Sequence, residues 1–352
     1  MMNYQDLKKI LFKLDPEKAH LLAEFGMRLG NLLPPLLNPV ASRYVVTNER
    51  LCQDIFGVNF SNPVGIAAGF DKNAIMIRAL CALGFGHIEY GTVTPKPQNG
   101  NAKPRLFRHI AEKSLQNAMG FNNDGSVKVA KRAGALYPFA IPLGANIGKN
   151  KTTPQENAID DYVHLTKTLS NVCDYLVINI SSPNTPNLRD LQNESFIKEL
   201  FSTCVPLTNK PILLKIAPDM TPKNAVSLCS AAIESGAGGI IATNTTIDYS
   251  LVKNPKDFGG ISGEVLREKS FKIFEAIAKE FFKTAVLISA GGISTAKEAY
   301  KRLKIGASLV QIYTSFIYEG PKIAHNINNG ILELMDRDGF HTISDVIGAN
   351  RS

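Results

Sequence analysis

Ser182 stands between Ser181 and Pro183 in the run Asn-Ile-Ser-Ser-Pro-Asn-Thr-Pro at 179–186, flanked by Asn179 and Asn184. A serine oxygen acts as nucleophile or base only when something takes its proton, and no histidine is near it in sequence. The six histidines show no HxxxH or HExxH spacing and no Ser-His-Asp set is laid out, so neither a metal site nor a hydrolytic triad is indicated. Taken by itself the run is a hydrogen-bonding loop. Lys215 is more demanding. It interrupts the apolar run Leu213-Leu214-Lys215-Ile216-Ala217, and burying an ammonium without a partner is costly. Pointed inward, it calls for a bound anion or an electron-rich ring. Lys72 follows Asp71 directly, so it is either half of a surface ion pair or a second cation for an anionic ligand. Gly291-Gly292 is expected to open a helix, where backbone N–H groups freed of side-chain bulk cradle phosphate. A plain glycine turn is the alternative. Together these residues imply a phosphate-bearing cofactor and a small polar, anionic substrate, and leave the reaction open.

Such groups need a frame that brings them to one place. From residue 60 onward, short apolar runs at 63–68, 88–93, 141–147, 175–180, 211–217, 239–243, 286–290 and 309–313 alternate with helical segments. Amphipathic stretches such as 222–235 and 295–303 are long enough for crossover helices. Eight β-then-α units favour a closed parallel (β/α)8 TIM barrel, and the GxGxxG that a doubly wound nucleotide-binding sheet needs is missing. In a barrel the strand ends share one mouth, and here they carry Asp71-Lys72, Thr92, Asn146, Asn179, Thr243-Asn244-Thr245, Gly292 and Tyr313-Thr314. The segment 51–60, with its Phe-Gly step, predicts a hairpin capping the barrel floor. The stretch 96–123 is too long for a simple loop and predicts extra strands at 105–108 and 115–117 over the mouth.

Composition sets the outer limits. The chain has 352 residues, 44% hydrophobic and 20% charged, the mix of a globular enzyme. Its net charge of +8 comes without a basic stripe interleaved by aromatics, so nucleic acid is not the expected partner. Five scattered cysteines form no CxxC pair and read as small buried thiols in a reducing compartment. No secretory signal and no stretch of 18 apolar residues is expected to take the chain into or across a bilayer.

Residues 1–40 do not belong to the barrel pattern, and we divide the chain at that point into a 1–40 helical extension and a 41–352 barrel. Leu7, Ile10, Leu11 and Leu14 form one stripe; Asp15-Pro16 predicts a helix start; Leu22, Phe25, Met27 and Leu29 follow; then come Leu32-Leu33-Pro34-Pro35-Leu36-Leu37. Two short helices with a proline-broken apolar knot can pack on the barrel, or lie in the headgroup region of a membrane.

The motifs resemble those of the dihydroorotate dehydrogenase family. They are Ala-Ala-Gly-Phe-Asp-Lys (67–72), Gly-Thr-Val-Thr-Pro (91–95), Lys-Pro-Arg-Leu-Phe-Arg (103–108), Asn-Ala-Met-Gly-Phe-Asn-Asn (117–123), Asn-Ile-Gly-Lys-Asn (146–150), the serine run at 179–186, Lys-Ile-Ala-Pro-Asp (215–219) and Ala-Thr-Asn-Thr-Thr (242–246), in order along essentially the whole chain. The resemblance implies one FMN, held through Ala68, Gly69, Phe70, Asp71, Lys72, Thr92, Asn146, Asn179, Lys215 and Thr243, with its phosphate on Gly263, Gly292, Tyr313 and Thr314. It implies that dihydroorotate lies against Lys72, the loop of Asn117, Ala118, Met119, Gly120 and Phe121, and Asn179, Asn184, Asn244 and Thr245. Ser182 is then the catalytic base, removing a proton from C5 while C6 gives up a hydride. Serine in that place, where the family's soluble class has cysteine, together with the N-terminal extension, implies the quinone-reducing class. Its members are expected to be monomeric, peripheral enzymes at the cytoplasmic face of the cell membrane, which favours the membrane reading of residues 1–40. Phe70 and Thr314 stand where many relatives have Leu and Ser.

Overall fold

The computed structural model describes residues 4–351, so the first three residues of the extension and Ser352 lie outside it. An antiparallel hairpin, β1 (Gln53–Ile55) and β2 (Val58–Phe60), turns through Phe56 and Gly57, both at positive φ (60° and 70°) as a tight hairpin turn requires. Its Ile55 and Phe60 pack on Tyr175, Val177, Leu213, Ile241, Ile288 and Leu309, closing one end of the barrel.

The barrel strands are β3 (Val64–Ile66) and β4 (His87–Val93), then, after the excursion of β5 (Leu106–His109) and β6 (Ser114–Asn117), β7 (Leu143–Ile147), β8 (Tyr175–Asn179), β9 (Ile212–Ile216) and β10 (Gly239–Ala242). After β11 (Gly260–Gly263), β12 (Val286–Ala290) and β13 (Leu309–Ile312) complete the set. Eight of these close into a parallel cylinder in the order β3-β4-β7-β8-β9-β10-β12-β13, with β13 bonded back to β3. Apart from the half-exposed Val286 these strands are buried throughout, as expected when helices cover the outside and side chains fill the inside. All eight expected runs are strands here, most trimmed by a residue or two at the ends.

β5, β6 and β11 form a separate antiparallel sheet over the mouth. The sequence predicts the first two but not β11. Gly259, Gly260 and Gly263 crowd that segment, and glycine carries no strand signal; it is fixed by pairing with β6, where Gly260 faces Asn117 and Gly263 faces Ser114.

The extension folds as α1 (Tyr4–Leu11), α2 (Pro16–Leu32) and α3 (Asn38–Tyr44), with a 3-10 turn at Pro34–Leu37 where the prolines stop α2. Asp15 caps α2, its carboxylate accepting from the N–H groups of Glu17 and Lys18 at 3.0 Å. Because α3 runs from 38 to 44, the division placed at residue 40 falls inside a helix. Leu22, Phe25, Leu29, Leu32, Leu33 and Leu36 face outward, with Phe25 68% and Leu32 76% exposed, and α1 adds Leu7 and Ile10. Large apolar side chains exposed at this density mark an interaction surface. Among the described residues no helix is long and apolar enough to cross a membrane.

Candidate active site

The C-terminal strand ends and the β5-β6-β11 sheet enclose one cavity, with Glu17 and His20 of α2 on its wall. β3 contributes Ala68, Gly69 and Lys72, β4 Thr92, β8 Asn179 with Ser182 and Asn184 beyond it, β9 Lys215, and β10 Thr243, Asn244 and Thr245. The roof supplies Asn117, Met119, Gly120, Phe121 and Gly263, and the last two strands end in Gly292, Tyr313 and Thr314.

Four of the expected residues do not line it. Asp71 is fully buried and accepts from the N–H groups of Asn73 (3.3 Å), Ile75 (2.9 Å) and Met76 (2.8 Å), so it builds the turn that carries Lys72. Phe70 packs edge-on to Tyr313 and His20, ring centroids 5.6 and 5.4 Å apart. Ala118 is buried behind its loop, its N–H bonded to the Arg105 carbonyl. Asn146 stands behind Thr92 and Asn179, accepting from both at 2.5 and 3.1 Å. These four hold other residues in place.

Lys215 corrects the reading of its charge. Its ammonium lies 3.1 Å from the carboxylate of Glu89, a β4 residue with no exposed surface, so its burial requires no bound anion. Glu89 was legible in principle: it interrupts the β4 run as Lys215 interrupts β9, and two inward charges in one barrel invite pairing. Lys72 is the more available cation. Burial pushes its ammonium below the usual lysine range, partly offset by Glu24, Asp71 and Glu17.

Gly291-Gly292 also departs from expectation. The next helix, Ala296–Lys304, starts four residues on, capped by Thr295. The glycines instead form a turn at φ 106° and 74°, and a Cβ on Gly292 would sit 2.3 Å from the Arg267 Cα. Gly263 (φ 112°) faces the same space, and the Ser262 and Thr314 hydroxyls meet there at 2.8 Å. A concave backbone without side chains, edged by hydroxyls, suits a phosphate. Nearby, Asn184 Oδ1, Thr245 Oγ1, Gln311 Oε1 and Ser315 Oγ are buried with no hydrogen-bond partner among the described residues. Unspent acceptors and hydroxyls in a cavity wall suit a polar ring ligand. These features fit FMN and a small ureide.

On the wall facing the extension, Glu17 bonds Arg105 Nη2 at 2.8 Å and Lys103 at 3.4 Å. Burial pushes the Glu17 carboxyl up, but the hydrogen bond and charge of Arg105, helped by Lys103, outweigh it and hold the pKa below the usual range. Burial and the nearby Lys72 push His20 down to about 3, so it is neutral at ordinary pH. Sequence reasoning missed both residues; their helical spacing shows only which face they share, and the docked face follows from Arg105, 88 positions away.

Fold and site define a (β/α)8 barrel enzyme with a cavity at the strand ends where polar side chains converge. The dihydroorotate dehydrogenase family profile matches residues 50–335. Proteins named dihydroorotate dehydrogenase (quinone) from Nitratiruptor sp. and Sulfurimonas denitrificans are each 59% identical to the chain; the alignments cover 99% and 100% of the chain and the same shares of those proteins. Crystal structures of the Eimeria tenella dihydroorotate dehydrogenase superpose with TM-scores of 0.86 in complex with ferulenol and 0.87 ligand-free, at 34% identity; both cover 96% of this chain, and 96% and 99% of theirs. The chain belongs to the dihydroorotate dehydrogenase family.

Proposed function

We propose that this protein oxidises (S)-dihydroorotate to orotate in de novo pyrimidine biosynthesis and passes the electrons, through one bound FMN, to a membrane quinone. FMN would be held by Gly263, Gly292 and Thr314 at its phosphate and by Ala68, Gly69, Thr92, Lys215 and Thr243 along its ring. When bound it supplies the hydride acceptor. Lys72 provides the charge for the substrate carboxylate, and Asn117, Asn184, Asn244 and Thr245 offer donors and acceptors to the ureide edges. Ser182 takes the C5 proton. Its Oγ accepts a 3.2 Å bond from the Asn184 N–H, which stabilises negative charge developing on that oxygen. A hydroxyl is still a weak base near neutral pH, so the proton must move on as it arrives.

Residues 1–40 serve as the interfacial anchor and quinone entrance in this reading. Their outer face is leucine-rich, and the inner face of α2 brings His20 and Glu17 to the cavity. The enzyme would act as a monomer at the cytoplasmic face of the cell membrane. One observation carries the proposal: Ser182, Lys72 and the glycine cradle share a cavity that Glu17 and His20 of that extension help to line. Comparing quinone, fumarate and NAD as acceptors for dihydroorotate oxidation in detergent tests it. Turnover with quinone alone is expected; turnover with fumarate or NAD but not quinone overturns the acceptor assignment, and tight binding of dihydroorotate with no turnover marks a binding protein instead.

A further inference from the structure

Glu89 is a fully buried carboxylate that the proposed chemistry does not use. Its Oε1 accepts from Asn146 Nδ2 at 2.6 Å and from Lys215 Nζ at 3.1 Å, and its Oε2 accepts from Gln311 Nε2 at 2.6 Å. An ionised carboxylate only accepts, so each amide that meets it must present its NH2 side and turn its oxygen away. Gln311 therefore aims Oε1 elsewhere: that atom is buried, has no partner among the described residues, and belongs to a side chain on the cavity wall. Asn146, turned the same way, accepts at Oδ1 from Thr92 Oγ1 (2.5 Å) and Asn179 Nδ2 (3.1 Å). Asn179 then accepts at Oδ1 from Ser181 Oγ (3.1 Å) and Asn244 Nδ2 (3.4 Å). One charge thus sets the direction of the Gln311 and Asn146 amides and, through Asn146, of Asn179 and Asn244.

We propose that Glu89 is a positioning residue: it fixes a cation at Lys215 and an acceptor at Gln311 toward the flavin ring, and its own negative charge restrains the reduction potential of that ring. The proposal rests on the FMN reading. Flavin reduction builds negative charge on the ring's pyrimidine portion, so a carboxylate one ion-pair distance behind Lys215 disfavours the reduced form. Glu89→Gln removes that charge. It also places a new amide N–H against Gln311, which must flip and present NH2 to the cavity where it had presented an acceptor.

The test is the midpoint potential of the flavin bound to the full-length protein. Glu89→Gln is expected to move it positive by at least a tenfold change in the two-electron reduction constant, about 30 mV. A folded, yellow variant with an unshifted or more negative potential overturns the proposal, because a merely structural carboxylate would change melting and not potential. If Glu89→Gln does not fold, Gln311→Met keeps the Glu89–Lys215 pair and removes the unspent acceptor together with the Gln311 bond to Glu89 Oε2. That variant is expected to bind FMN about tenfold more weakly, the worth of one hydrogen bond; unchanged affinity overturns the proposal. A wild-type protein that binds no flavin defeats the FMN reading and this proposal with it, whereas yellow wild type with insensitive variants defeats the role of Glu89 alone.

Discussion

Glu17→Gln should unfasten α2 while leaving the barrel intact. The Glu17–Arg105 pair is nearly enclosed, with side-chain exposures of 11% and 7%. Removing one member of a buried pair costs about 3–5 kcal/mol when the other is left bare. Arg105 is not left bare: its Nη1 keeps the carbonyls of Asn99 and Asn101 at 2.6 and 2.9 Å, and glutamine can still accept one neutral hydrogen bond. The loss is therefore about 2 kcal/mol, or about thirtyfold in the ratio of undocked to docked helix. Native-state amide exchange reads that ratio directly, since locally opening segments exchange in proportion to their open population. Amides of α2 should exchange about thirtyfold faster in the variant, and those of β8 and β9 at the wild-type rate. Unchanged exchange in α2, or equal acceleration in the barrel, refutes the reasoning. The pH dependence follows from the same pair. A carboxyl depressed in the folded state contributes stability that is complete above its unfolded pKa of about 4.3 and is lost as pH falls through the folded value. His20, buried neutral, loosens the helix over a different window, from about 6.5 downward to its folded value of about 3. The difference between wild type and Glu17→Gln isolates Glu17: it should be full at neutral pH and fall away as pH drops through the depressed folded value.

Ser182→Ala should keep its flavin and slow flavin reduction by dihydroorotate at least a hundredfold in stopped-flow measurements; a rate near wild type removes Ser182 as the base. Gly292→Ala places a Cβ on the Arg267 backbone at a positive φ, so the protein should purify with much less flavin, read from its visible absorbance. Full occupancy would argue against the phosphate cradle. Arg302 has no exposed surface and bonds Ser289, Ser270, Glu298 and the carbonyls of Arg267 and Gly291, which binds the β12 end to its neighbouring helices. Arg302→Ala should cost about 3–5 kcal/mol and lower the thermal midpoint by several degrees; an unchanged midpoint would show that this network is dispensable.

The barrel was readable because strands buried on both faces leave uninterrupted apolar runs, and the polar strand ends announced a shared mouth. Asp15-Pro16 gave the start of α2 for the same local reason: the cap and the proline act within one turn. What depended on distant pairing was not readable. β11 is held by its register with β6 despite its glycines, and Lys215 has its counterion 126 positions away. Phe70, Asp71, Ala118 and Asn146 sit inside motifs that line the cavity, yet they turn into the wall. A motif marks a stretch of backbone near a ligand, and only the fold shows which side chains face it.

The most direct test of the account is anaerobic addition of dihydroorotate to the purified, full-length protein while its visible spectrum is followed. A yellow protein is expected, whose flavin absorbance bleaches on addition and returns when a quinone is supplied. A spectrum that stays yellow and unchanged with excess dihydroorotate would contradict it.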